Sequence, residues 1–469
     1  MPDRLANPAA QLVSNFAAGG SVRCVTLSEI AASRSRLARS ALPEGTFAVG
    51  AGLVISGLST YAFLSVAKHA LGSSAFSPLG VMWSLTFFAA PGFFLPIEQE
   101  VGRALAHRKA QGNGGAAVVR RAAVLGGALA GFLIVLGLAI SPIITRQLFD
   151  RSWLLLVGFI IAIGAYFCGH LSRGAFSGSG EFRAYGEFLA ADGGLRLLAC
   201  IALAIIGVKG AGPYGLLVGL SPIFALAFAF RRRPPIMKPG PEAPWAELTA
   251  NLGWLLLASV SASALVMVGP VLVSLLATKA EHDLAGHFLA SRMITTVPLF
   301  LFQAVQAALL PRLAALAASG RFGEFRDGFR RLLKVVMVIA LAAVAGSVAL
   351  GPFVVRTLFG SDADIGRMNL TLLAIASALY MVALAISQAL IALHGHAVVG
   401  LGWLAGVVVL FIVTAFGHDL LMRVEAGLVA GSLTSLAIFV LDLRQRLARG
   451  ESPDADSLYE ALTEAPLEL

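Results

Sequence analysis

A few ionisable side chains stand inside otherwise apolar stretches of this 469-residue sequence, and the chemistry has to come from them. Asp192 and Arg196 are four apart, acid first, the order that favours an ion pair along one helix face. Counted from Tyr185 at about 1.5 Å per residue, Arg196 lies roughly 16 Å deep, near a bilayer midplane. A planar guanidinium at that depth suits a phosphate or pyrophosphate bidentately. The other reading is a self-neutralised pair that locks its helix. Arg292 either lines the exit side of a cavity or snorkels to the headgroups. Asp192, Arg196 and Arg292 form the candidate substrate-binding set. Glu98 and Glu100 either hold a coupling cation or pair with Arg103, Arg108 and Lys109. Arg173, Glu181 and Arg183, set among glycines, read as a cytoplasmic vestibule or a plain polar loop. His394 and His396 have no further ligands close in sequence, so neither a metal nor a cofactor is expected.

Familiar catalytic and nucleotide motifs are missing. There is no GxxxxGK[ST] to cradle a nucleotide, no HExxH and no GxSxG. Glu281, His282 and Asp283 make one compact acidic group in a short loop, read as solvated. An enzyme is disfavoured. A membrane glycosyltransferase or polymerase would need Glu281 or Asp283 as its catalytic carboxylate.

These side chains must be positioned by membrane helices. Residues of the AVILMFWYC set make up 58% of the chain and charged residues 13%, with mean hydropathy +0.83; soluble domains carry about 25% charge. The balance excludes a soluble domain and a disordered chain. A ruler of about 20 apolar residues per crossing predicts twelve spans near 46–67, 76–97, 122–144, 153–171, 187–208, 213–230, 253–278, 288–311, 333–355, 368–391, 397–416 and 425–441. With the N-terminus inside, 25 of the 35 Lys and Arg fall in inside segments and 8 in outside loops. The positive-inside bias therefore puts both termini in the cytoplasm and accounts for the net charge of +9 without nucleic acid. Residues 1–45 form a polar leader and 444–469 an acidic tail, both cytoplasmic. Pro91, Gly92 and Pro96, and Pro298 in the second half, are candidate kinks. Gly127 and Gly131 have the small-xxx-small spacing of close helix contacts.

The sequence also repeats. Pro142, Arg146, Leu148 and Phe149 recur as Pro352, Arg356, Leu358 and Phe359, 210 residues later, and Pro91 recurs as Pro298 at 207. Six spans per half make the repeat parallel, the arrangement in which transporters place substrate between the halves. The expected fold is therefore all-α, with two parallel-repeat six-helix bundles, 46–230 and 251–443. They are joined by a non-helical cytoplasmic linker, 231–250, rich in Arg and Pro.

Three segments resemble the polysaccharide transporter (Wzx-type) branch of the multidrug/oligosaccharidyl-lipid/polysaccharide flippase superfamily. They are Pro91 to Gly112, Arg173 to Glu187 leading into Asp192 and Arg196, and Pro298 to Arg312 followed by Gly320 and Phe325. The resemblance implies alternating access that moves a lipid-linked oligosaccharide to the outer leaflet of the cytoplasmic membrane. It implies cationic cavity residues, carried over here to Arg196 and Arg292. The implied partners are the lipid-linked glycan, membrane lipids and glycosyltransferases or a polymerase of the same pathway. An ion-coupled drug or metabolite exporter is the alternative.

Overall fold

The structure is a computed structural model. It describes residues 46–231, 238–249, 252–299, 302, 322–363 and 365–449. The leader 1–45, most of the acidic tail and most of the Pro298–Arg312 segment lie outside them. Lipid offers no hydrogen-bond partners, so a spanning backbone must satisfy itself. Among the described residues there are helices and no strands, and ten helices are long and apolar enough to cross a membrane.

The first, α1 (Thr46–Ala110), has 65 residues. At 1.5 Å per residue that is about 98 Å, some three times the hydrocarbon thickness, so one straight crossing is impossible. Gly72 breaks it with φ 74° and ψ 176°, a backbone that only glycine adopts without strain. The two arms, 46–71 and 73–110, run in opposite senses across the layer. The helix continues through Pro78, Pro91 and Pro96. After it come α2 (Ala116–Ala139), α3 (Trp153–Ser179), α4 (Phe182–Ile206) and α5 (Ala211–Phe230). The second half comprises α6 (Leu252–Leu276), α7 (284–299), α8 (Phe322–Phe359), α9 (Arg367–Ala392), α10 (His396–Thr414) and α11 (Leu420–Arg449).

Most helices outrun the apolar spans at the face that carries residues 103–121 and the linker. The stretch 172–186, which reads as a loop, is the end of α3 and the start of α4. Gly180, at φ 78°, caps α3 in the left-handed region. Charged residues on a helix that overhangs the hydrocarbon look like loop residues to a hydropathy ruler. The linker is not wholly non-helical either: Ala246–Thr249 forms one turn. Arg108 pins it, with Nε and Nη2 each 2.8 Å from the carboxylate of Glu247 and Nη1 2.8 Å from Pro241 O.

Small residues let the helices close. A Cβ on Gly193 would lie 2.8 Å from the Cα of Ser56, and one on Gly186 would strike the backbone of Ala48, so α4 lies directly on the first arm of α1. Gly158 and Gly215 do the same for α3 and α5, Gly406 and Gly431 for α10 and α11. The expected contact at Gly127 and Gly131 is not made. Gly131 has open space, and Gly127 meets only Phe167 at 3.9 Å; neighbouring Gly126 faces the helices instead.

The repeated segments share one burial pattern. Thr145 and Phe149 are 2% and 0% exposed, Val355 and Phe359 0% and 1%, while Arg146 and Arg356 are both exposed. Each segment ends in positive φ, at Asp150 and Arg151 in one and Gly360 in the other.

The halves meet along α1. At the face opposite the linker, Lys68 Nζ is 2.6 Å from Asp362 Oδ2, and Ser73 also donates to that carboxylate. Tyr61 donates to Met293 O at 3.2 Å and Ser77 to His282 O at 2.9 Å. Deeper, Ser259 on α6 donates to Pro91 O at 2.8 Å.

Candidate functional site

The glycine seam between α1 and α4 sets the position of Arg196. One turn beyond Gly193, its guanidinium enters the angle between the two arms of α1. Nη2 donates to Thr60 Oγ1 at 3.2 Å and Nη1 to Tyr166 Oη at 3.0 Å. The rings of Phe63, Trp83 and Phe87 lie 5.7, 5.1 and 5.8 Å away, within cation–π range. Asp192 is the weaker contact at 3.5 Å, and its own short bond, 2.7 Å, comes from Ser221 on α5. The predicted ion pair therefore exists, but it is buried and lines neither the cavity beside Glu98 nor the one beside Arg146. Arg196 is 1% exposed, closed over by the aromatic rings, and its buried Nε has no partner.

Arg292 does not snorkel. It is 2% exposed and turned into the second half. There it donates to Ser377 Oγ at 3.0 Å and to the carbonyls of Leu265 and Val266 on α6 and Leu373 on α9 at 3.3–3.4 Å. All four acceptors are neutral, so the charge is hydrogen-bonded but has no counter-ion among the described residues. Arg292 shares none of its hydrogen-bond partners with Asp192 or Arg196: its own lie on α6 and α9, theirs on α1, α3 and α5.

Glu98 and Glu100 part company. Glu100 pairs with Arg103, 2.7 Å, as local charge pairing predicts. Glu98 ignores Arg103, Arg108 and Lys109 and points into the N-terminal bundle. Its Oε2 is 2.7 Å from His170 Nδ1; its Oε1 accepts from Tyr185 Oη at 2.8 Å and lies 3.1 Å from Arg173. Arg173 also donates to Tyr185 Oη at 2.9 Å. Arg173 is thus a helix residue fixed by a carboxylate, not part of a loop. Arg183 makes an exposed pair with Glu187 at 2.8 Å, and Glu181 sits at the turn between the helices. A cavity of about 360 Å³ lies against this group, lined by Val49, Glu98, Gln99, Gly102, Ser177, Phe182 and Tyr185. A buried acid bonded to an imidazole beside a cavity can take up and release a proton.

Sequence reading missed His170 and Tyr185, which look like ordinary members of apolar or polar runs. It missed Glu425 too, a single acid in the last span. Glu425 is 0% exposed, and neither carboxylate oxygen has a hydrogen-bond partner among the described residues. Of the outer acidic group, Glu281 closes a capping box with Thr278. The Thr278 backbone N–H and hydroxyl hold its carboxyl below the usual range. That is the reverse of what a general acid needs. Among the described residues no group of His, Cys, Asp and Glu could hold a metal ion.

No family model matches the sequence, and no curated protein matches it. Solved structures do. One described as the inward-facing conformation of a multidrug resistance MATE family transporter of the MOP superfamily superposes with a TM-score of 0.67 at 16% identity, covering 85% of this chain and 96% of that one. The fold is that of a MATE transporter. The outward-facing conformation of such a transporter gives a TM-score of 0.63 at 15% identity, over 87% and 95% of the two chains. A MATE in complex with MaD5 gives 0.61 at 16%, over 87% and 95%. The chain is a multi-pass membrane protein with this architecture.

Proposed function

We infer that the protein is an alternating-access transporter. Its chain crosses the cytoplasmic membrane twelve times in two parallel six-helix repeats, with both termini cytoplasmic. The observation that carries this reading is the polar latch of Lys68, Ser73 and Asp362. It ties one half to the other at a single membrane face and can break without unfolding either bundle. Two rigid bodies joined by a breakable contact are what a rocking cycle requires.

The cargo we infer is a lipid-linked oligosaccharide or polysaccharide precursor, flipped so that its charged head crosses while its tail stays in hydrocarbon. Support comes from Arg292, a buried guanidinium without a counter-ion among the described residues, and from the resemblance at 91–112 and 173–187. Arg196 contributes once its aromatic cover opens. A second reading, an ion-coupled drug exporter, has its own support. The buried Glu98–His170 pair lies beside a cavity, and the neighbouring structures are described as multidrug resistance transporters.

Reconstitution separates the two. In proteoliposomes, a fluorescent lipid-linked sugar should become accessible to an impermeant quencher from the opposite leaflet, and Arg292→Gln should slow it at least tenfold. Movement of a fluorescent cationic dye driven by a pH gradient, with no effect on the lipid-linked sugar, would establish the exporter and overturn the flippase reading.

A further inference from the structure

Between α2 and α3, at the face opposite the linker, the chain does something costly that neither the latch nor the buried arginines explain. Ser141–Ile143 runs into a π-helical turn, Ile144–Leu148, a rare form that recurs at functional sites. Asp150 and Arg151 then adopt φ 45° and 60°, unfavourable for residues with a Cβ. The turn is held by Arg151 N donating to Thr145 O at 2.7 Å and Ser152 N to Phe149 O at 2.8 Å.

This backbone brings Arg151 and Arg146 to one cavity. Together with Thr145 and Trp153 they line a cavity of about 390 Å³. Neither guanidinium has a hydrogen-bond or ion-pair partner among the described residues, and Asp150, though adjacent in sequence, lies beyond ion-pair distance of both. Trp153 is 59% exposed at the first turn of α3, the depth at which indoles anchor in headgroups. On the elements that flank the turn, Ile143, Leu154 and Val157 are 54%, 39% and 46% exposed, apolar surface suited to acyl chains. The Ile144–Leu148 turn packs on α6 as well as on α3, so the cavity lies beside the seam between the halves.

We propose that this cavity binds the phosphate of an anionic phospholipid, with Arg146 and Arg151 on the phosphate oxygens, Trp153 at the glycerol level and the tails along the apolar surface. Basic pockets beside membrane helices recognise lipid phosphates in this way. The binding is non-covalent and is independent of the cargo assigned above.

Native mass spectrometry of the detergent-purified protein tests it, with phosphatidylglycerol and phosphatidylcholine added in equal amounts. Phosphatidylglycerol should be retained in preference, and Arg146→Gln with Arg151→Gln should lower that preference roughly 30-fold, two lipid-facing arginines' worth. Both side chains are exposed, so the double variant keeps its fold. Arg356→Gln, at the repeat-related position, should leave retention unchanged. Soluble glycerol phosphate at millimolar concentration should not displace the lipid. Equal retention of the two lipids by the wild type, an unaltered preference in the double variant, or displacement by glycerol phosphate alone overturns the proposal.

Discussion

Replacing Asp362 by Asn removes the charge from the latch and leaves its shape. Two opposing magnitudes have to be weighed. The Asp362 side chain is 54% exposed, and ion pairs open to water are worth only about 0–1 kcal/mol. Lys68, however, is 3% exposed, and once Asp362 becomes an amide its buried ammonium has only neutral acceptors, the amide oxygen and Ser73 Oγ at 2.7 Å. A hydrogen bond to a charged group is worth about 1.5–3 kcal/mol. Discounting that for the wet end of the pair leaves roughly 1–2 kcal/mol, or a 5- to 30-fold shift toward the unlatched state. Spin labels read the shift directly. Ile206 and Phe416, 74% and 72% exposed at the same face, give one label per half once converted to cysteine in a background lacking the native cysteines. Asp362→Asn should raise the population of longer distances by that factor. The charge-swapped pair Lys68→Asp with Asp362→Lys should restore the wild-type distribution. A change below about twofold, given that expected range, would refute the latch.

Three further outcomes follow from the same geometry. The Asp362 carboxyl, held down to about 2 by hydrogen bonds from Lys68 and Ser73, contributes stability that is present above its ordinary 3.8 and lost only as pH falls through about 2. The label distances should therefore stay constant from about pH 8 to pH 5, and a transition inside that window would contradict the pairing. Arg196→Ala strands Asp192 in the bundle with Ser221 alone and should cost about 3–5 kcal/mol in denaturant or thermal unfolding, whereas Arg196→Met with Asp192→Leu should recover most of it; a single variant as stable as wild type would show the pair to be loosely held. Glu425→Leu removes an acid buried without a partner among the described residues, so unfolding should need a higher temperature, by about 1–3 kcal/mol of stability, and a lower melting point would mean the acid is bonded after all.

The fold was legible because hydrophobicity is additive along a helix. Apolar stretches of about 20 residues identify the helices without any knowledge of packing, and the match of Pro142 with Pro352 needs only letters. Helix ends were less legible. Arg173 and Tyr185 lie on helices that overhang the apolar layer, where hydropathy falls but helix geometry continues. The Asp192–Arg196 pair was readable from its spacing. Its cover was not, because Phe63, Trp83 and Phe87 come from two arms that meet only after folding. Glu98 shows the same limit. Its neighbours in sequence are Glu100 and Arg103, yet its partners, His170, Arg173 and Tyr185, are brought by α3 and α4. Sequence spacing predicts contacts along one helix; the site is made of contacts between helices.

The break at Gly72 has a mechanical consequence. Lys68 and Ser73 straddle it and grip the same carboxylate, so Asp362 acts as a splint across the elbow of α1. Gly72 itself stands in open space, with no atom within 4 Å of the point a Cβ would occupy. Take the splint away and the elbow itself loses the carboxylate that ties its two sides, leaving the contacts farther along each arm, such as Tyr61 with Met293 and Ser77 with His282, to resist bending. The forearm that carries Thr60 and Phe63 can then lift from the upper arm that carries Trp83 and Phe87, and Arg196 is uncapped between them. In a variant whose sole tryptophan is Trp83, iodide should quench the indole more readily after Asp362→Asn; equal quenching would mean the elbow stays braced by something else.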